Sequence, residues 1–112
     1  MRDGVSGIEL RPRLFGSSGI RAVFGRELLT LAFKVGLALG GSQRRVVVGR
    51  DSRTSSQALE HALLSGLLAS GSGVWDGGMM PTPALAYAAR EFEAGAMITA
   101  SHNPPQYNGL KL

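Results

Sequence analysis

The sequence predicts an α/β sandwich built on a largely parallel sheet, and three observations predict it. Short runs of β-branched and small apolar residues, Val46-Val47-Val48 and Ala96-Met97-Ile98-Thr99-Ala100, have the composition of strands buried on both faces. Between them lie stretches whose apolar residues recur at helical spacing, above all Leu59, Ala62, Leu63, Gly66 and Leu67. Strand and helix patterns alternate along the chain, which is the order of βαβ units.

Each element follows from local residues. Residues 1–12 carry Gly4, Gly7 and Pro12 without periodicity and read as a loose extension. Arg13-Leu14-Phe15 begins a short strand that Gly16-Ser17-Ser18-Gly19 ends. From Glu27 to Leu39, residues Leu28, Leu29, Ala32, Phe33, Val35 and Leu39 mark a first helix, with Gly40-Gly41 as its stop. Arg45-Val46-Val47-Val48-Gly49 is a strand. Asp51-Ser52-Arg53-Thr54-Ser55 then offers several N-cap residues for a second helix that ends at Gly71. Gly73-Val74-Trp75-Asp76 is a short strand, and Thr82-Pro83 supplies cap and first turn of a third helix reaching Phe92. After the strand ending at Ala100, Asn108-Gly109 is expected to turn the chain back. Gly109-Leu110-Lys111-Leu112 starts a returning strand with no helix after it. The sheet edge near Lys111 is therefore expected to stay under-covered and to invite self-association.

Composition bounds the class. A chain of 112 residues, 44% apolar and 18% charged, is one soluble globular domain with a modest core. Its 16 glycines point to tight turns and close backbone approaches. Nothing approaches a membrane-spanning run, and Met1-Arg2-Asp3-Gly4 opens no secretory signal, so a cytoplasmic location is the default. No cysteine is present, which excludes disulfides and thiolate metal sites. The net charge of +4 and pI near 10.4 suit an anionic small substrate. Its arginines and lysines are scattered without aromatic interleaving, so a nucleic-acid partner is not expected.

The segment Thr99–Lys111 holds the densest chemistry. Ser101, His102 and Asn103 follow an apolar strand, Pro104-Pro105 stiffen what comes next, and Lys111 lies two residues past the Asn-Gly pair. A hydroxyl, an imidazole and an ammonium on one hairpin can serve phosphoryl transfer. Gly16-Ser17-Ser18-Gly19 could cradle phosphate with its N–H groups, although no Gly-Lys-Ser/Thr follows it as in a P-loop. Arg50-Asp51-Ser52-Arg53 is best read as a salt-bridged corner with a helix cap. His61 reads as a surface residue, and Trp75, Met79 and Met80 as core or interface packing.

Four segments in order carry a family resemblance: Phe15-Gly16-Ser17-Ser18-Gly19-Ile20-Arg21, Val47-Val48-Gly49-Arg50-Asp51-Ser52-Arg53, Met80-Pro81-Thr82-Pro83 and Thr99–Lys111. Together they resemble the α-D-phosphohexomutase family over residues 14–112. The resemblance implies a three-layer α/β/α sandwich with a short, mostly parallel mixed sheet, cut short after residue 112. It implies that Ser101 carries a phosphoryl group, donates it to a hexose phosphate, and regains the other phosphoryl group from a bisphosphorylated sugar. Lys111 is the implied general base, which requires burial or neighbouring cations to free its lone pair. Arg21 is the implied cation beside the phosphoserine. His102 either contacts the transferring phosphate or anchors the loop, Asn103 shapes it, and Ser18 with Asn103 is implied in phosphate binding. Mg²⁺ is the implied cofactor, held here only through the Ser101 phosphate, with its other ligands in a second domain. Ala22 stands where the family commonly has glycine, and residues 25–31 look shortened.

On this reading the chain is an N-terminal mutase domain, inert without the remaining domains of the enzyme. The competing expectation is a phosphate- or sugar-phosphate-binding module with the same fold, never phosphorylated on Ser101. Glucose, mannose and glucosamine phosphates all remain open as substrates, and the Pro-Pro-Gln-Tyr-Asn-Gly wording looks most like that of mutases of broad or glucosamine-type use.

Overall fold

The computed structural model describes residues 9–14, 17–99 and 107–112. Along the chain run β1 (Glu9–Leu14), β2 (Ser17–Val23), α1 (Arg26–Ser42), β3 (Arg45–Arg50), α2 (Thr54–Ala69), β4 (Gly73–Met79), α3 (Thr82–Ala88), β5 (Ala94–Ile98) and β6 (Tyr107–Lys111). Their strands form one mixed sheet in the order β1-β2-β6-β5-β3-β4. Val46, Val47 and Val48 of β3 are all buried, as a strand covered on both faces requires.

Three layers result from the order of the parallel strands. β3 pairs in parallel with β4 on one side and with β5 on the other. The β3–α2–β4 connection therefore steps one way across the sheet and β4–α3–β5 steps back. Such crossovers share one hand, so opposite steps send their helices to opposite faces. Val46, Val48, Ala96, Ile98 and Leu110 accordingly pack under Leu28, Ala32, Leu59, Leu63 and Leu67 of α1 and α2. Val47 and Met97 pack under Leu85 of α3, with Met80, Ala89 and Phe92 around them. None of the described helices is long and apolar enough to cross a membrane.

Several expectations change. Glu9–Pro12, expected to be loose, belong to β1, which pairs antiparallel with β2. Ser17, Ser18 and Gly19, expected to form a phosphate-cradling loop, belong to β2. Parallel pairing is limited to β4-β3-β5, while β1-β2, β2-β6 and β5-β6 are antiparallel, so the mixed sheet is less parallel than expected. The edge expected at Lys111 does not exist, because β6 is paired with both β2 and β5. Trp75 and Met79 are 48% and 62% exposed rather than core, since β4 is an edge strand. The Arg45 guanidinium stacks there on Trp75 and Phe92, at 5.4 and 4.9 Å from the ring centroids.

α1 does not stop at Leu39 but runs through Gly40-Gly41 to Ser42. The reason is its contact with α2. A Cβ at Gly36 would strike the Leu63 carbonyl and come within 3.0 Å of the Gly66 Cα. A Cβ at Gly66 would in turn strike the Phe33 carbonyl. Gly40 meets Leu67 O and Ser70 in the same way, and Ser70 Oγ donates to Leu37 O at 2.9 Å. These glycines let two backbones touch, which offsets their poor helix propensity.

Gly66→Ala should therefore cost stability, by about 1–3 kcal/mol or more, because backbone cannot yield as a side chain can. Gly41→Ala, with open space where its methyl would sit, should gain up to about 1 kcal/mol. Urea denaturation of the two variants against the parent chain checks both signs.

Candidate active site

The carboxyl ends of β3 and β5 and the start of β6 come together at one rim of the sheet, the usual position for ligands in α/β folds. Asp51, just past β3, donates its N–H to Ile98 O at 3.0 Å, and Thr99 donates its own to Gly109 O at 3.0 Å. The stems on either side of residues 100–106 are thus tied to each other and to β3. Ser101, His102 and Asn103 themselves lie outside the described residues, as does the reversal between β5 and β6.

Asn108-Gly109 is not the turn it resembles. Both residues lie within β6, opposite Ala22 and Arg21 of β2. A Cβ at Gly109 would strike the Ile20 carbonyl and come 3.0 Å from the Arg21 Cα, so β2 and β6 approach too closely there for any other residue. Asn108 is fully buried on the helix face of the strand. Its amide donates to Ser55 Oγ at 2.7 Å and Ser56 Oγ at 2.9 Å, and its oxygen accepts the Gly109 N–H at 2.8 Å.

Strand alternation then places the two basic residues. Leu110 points into the core beneath α1 and α2, so Lys111 points to the opposite face, as does Met97 across from it. Ile20 and Ala22 face the α1–α2 core, which sends Arg21 to that same opposite face. Arg21 is paired with Gly109 and Lys111 with Gly19, making Arg21 and Lys111 diagonal neighbours about 7–8 Å apart at the backbone. Two cations thus share one face of adjacent strands, each half-buried. Ser18 lies in β2 next to Gly19, the residue paired with Lys111.

The corner after β3 has the structural role expected of it. Asp51 accepts the Arg53 N–H at 3.1 Å and the Ser56 hydroxyl, and pairs with Arg53 Nε at 3.4 Å. Its negative charge sits at the start of α2, where the helix dipole favours it. The N-cap itself is Arg53, which makes no side-chain capping bond. His61 is exposed, as expected. Ser55, Ser56 and Asn108 went unrecognised in the sequence because their partners are about fifty residues away. Among the described residues no group of three carboxylates or imidazoles could hold a metal ion, so these residues do not fit a Mg²⁺ site of their own.

Residues 12–112 match the model of the phosphoglucomutase/phosphomannomutase alpha/beta/alpha domain I. The chain is 55% identical over 101 residues to a probable phosphoglucosamine mutase of Methanococcoides burtonii, covering 89% of this chain and 23% of that one. It is 50% identical over 100 residues to a phosphoglucosamine mutase of Methanococcus maripaludis, covering 89% and 22%. A crystal structure of a phosphoglucomutase/phosphomannomutase family protein from Burkholderia thailandensis superimposes with a TM-score of 0.74 at 39% identity, over 83% of this chain and 24% of that one. The chain thus spans about a quarter of the length of the relatives it matches.

A second ionisable cluster sits between α2 and β4. Glu60 is buried, receives Arg50 Nε at 3.1 Å on one oxygen, and has no donor for the other among the described residues. Burial and the neighbouring Asp76 push its pKa from an ordinary 4.5 up to about 7, against the pull of Arg50. A proton held on Glu60 satisfies the second oxygen by bonding to Asp76, which lowers the pKa of Asp76. The Gly78 N–H, Arg50 and His61 favour the Asp76 carboxylate further.

From about pH 4.5 to 7 the unfolded chain loses the Glu60 proton while the folded protein keeps it. The contribution of Glu60 to stability is therefore complete below that window and lost as pH rises through it. Asp76 acts in the opposite sense, its contribution falling only as pH drops below its ordinary 3.8. Glu60→Gln, which keeps a donor toward Asp76, should flatten the pH dependence of the denaturation midpoint across the Glu60 window.

Proposed function

The chain belongs to the phosphoglucomutase/phosphomannomutase family by its alpha/beta/alpha domain I, and from that premise we propose that it is the phosphoserine-bearing domain of a phosphosugar mutase acting on glucosamine phosphate. The observation that carries the reading is the placement of Arg21 and Lys111 as diagonal neighbours on one sheet face, beside the stems that flank residues 100–106. The names of the relatives favour glucosamine over glucose or mannose phosphate as substrate.

In this reading Ser101 rests as a phosphoserine. A sugar hydroxyl attacks its phosphorus, the bond to the serine oxygen breaks, and the sugar leaves with two phosphoryl groups attached. Lys111, unprotonated at that moment, takes the proton of the attacking hydroxyl and passes it to the departing serine oxygen, which is left as a hydroxyl. The bisphosphorylated sugar turns over, and the serine hydroxyl, giving its proton to Lys111, attacks its other phosphoryl group. Lys111 returns its proton to the sugar oxygen that is released, so the net result is an isomer with Ser101 phosphorylated again. Arg21 offers its planar fork to phosphoryl oxygens, and its charge disfavours the ammonium form of the nearby lysine. His102 contacts the moving phosphate, and Asn103 with Ser18 helps to seat it. A Mg²⁺ ion on the Ser101 phosphate belongs to this proposal, with further ligands from outside this chain. The proposed setting is the cytoplasm, with the rest of the enzyme supplying the sugar-gripping surfaces.

In the protein of full natural length, intact mass and peptide mapping should find phosphate on Ser101. Ser101→Ala should abolish both that phosphate and turnover; an active, unphosphorylated variant would refute the assignment. Lys111→Met should lower turnover by about 10²–10⁴-fold with the fold retained. Normal specific activity with a large loss of stability would instead make Lys111 a structural residue. The 112-residue chain by itself should show no turnover of any hexose phosphate.

A further inference from the structure

Asn108 lies on the opposite face of the sheet from Lys111, so its side chain can act on the site only through the backbone of β6. All of its bonding capacity toward the first turn of α2 is used. One amide hydrogen goes to Ser55, the other to Ser56, and Ser56 donates in turn to Asp51. Asp51 is bonded through its N–H to Ile98 at the end of β5. The network thus ties β6, α2, β3 and β5 together at the rim of the sheet. It is buried at Asn108 and Ser56, where water cannot replace a lost partner.

Such an anchor has a consequence for register. Side chains alternate faces along a strand, so slipping β6 by one residue would carry Lys111 to the helix face and Asn108 away from Ser55 and Ser56. Gly109 adds a steric condition, because only a glycine fits opposite Arg21. We propose that Asn108 is a positioning residue for phosphoryl transfer: bonded to Ser55 and Ser56, it holds β6 in the register that sets Lys111 beside Arg21. The proposal rests on the reading of Lys111 as the base.

The test is a double-mutant cycle in the protein of full natural length. Turnover of glucosamine 6-phosphate and unfolding midpoints are measured for the parent, Asn108→Ala, Lys111→Met and the double variant. Asn108→Ala is expected to lower kcat about 10- to 100-fold with KM changed less than about threefold, the effect of a small misplacement of the reacting group. In the Lys111→Met background the same change should cost almost nothing, because no base is left to misplace. A loss that multiplies in full onto Lys111→Met would make Asn108 merely structural and overturn the proposal alone. A Lys111→Met enzyme with the parent's kcat would overturn the base reading, and this proposal with it. Should Asn108→Ala fail to fold, Ser55→Ala at a half-buried position removes one acceptor only. It is expected to give the same pattern at smaller amplitude, and full additivity there would equally overturn the proposal.

Discussion

The close approach of β2 and β6 is the constraint on which the rest of this structure depends. A Cβ at residue 109 would overlap the backbone of Ile20, so the two strands can pair in this way only around Gly109. That pairing inserts β6 between an antiparallel β1-β2 pair and the parallel β5-β3-β4 unit, joining them into one sheet. It also decides that Arg21 and Lys111 lie on the same face of the sheet as α3. Without it, Arg21 and Lys111 would stand on separate pieces of structure with no fixed relation.

The same device recurs between the helices. Gly36 and Gly40 of α1 meet Gly66, Leu67 and Ser70 of α2 with almost no side chain between them. Close packing of that kind tolerates little movement, since there is no soft layer to deform. The helix pair therefore forms a stiff roof over Val46, Val48, Ile98 and Leu110. Opposite it, α3 is only seven residues long and covers mainly β3 and β5. One face is covered by two long helices, and the other, among the described residues, by α3 and the short turn after it. That asymmetry follows from three crossovers of one hand: β2–α1–β3 and β3–α2–β4 step the same way across the sheet, and β4–α3–β5 steps back.

Polar groups in the interior divide into two kinds. Asn108, Ser56 and Asp51 form a connected set whose bonding capacity is met by protein. Glu60 is different, because Arg50 satisfies one oxygen and only a shared proton with Asp76 satisfies the other. The first set holds strands in place, whereas the second adds a titration near neutrality to the attachment of the edge strand β4.

Much of this was legible in the sequence where the governing forces are local. The valine run of β3, the apolar stripe of α2 and the strand of β5 were readable because burial on both faces or on one stripe leaves a short-range pattern. The family was readable because its motifs are matters of residue identity and spacing along the chain. Tertiary structure alone decided the rest. Asn108-Gly109 looks like a turn by composition, yet it became a strand because Ser55, Ser56 and β2, far away in the chain, supply its partners. Gly40-Gly41 looks like a helix stop, yet α1 continued because α2 lies against it. Glu9–Pro12 show no period of their own, and joined a strand only by pairing with β2. By itself the sequence determined which segments must be buried and to which family the chain belongs. The fold decided which of them share a face, because pairing and close packing are contacts between distant residues that no local pattern records.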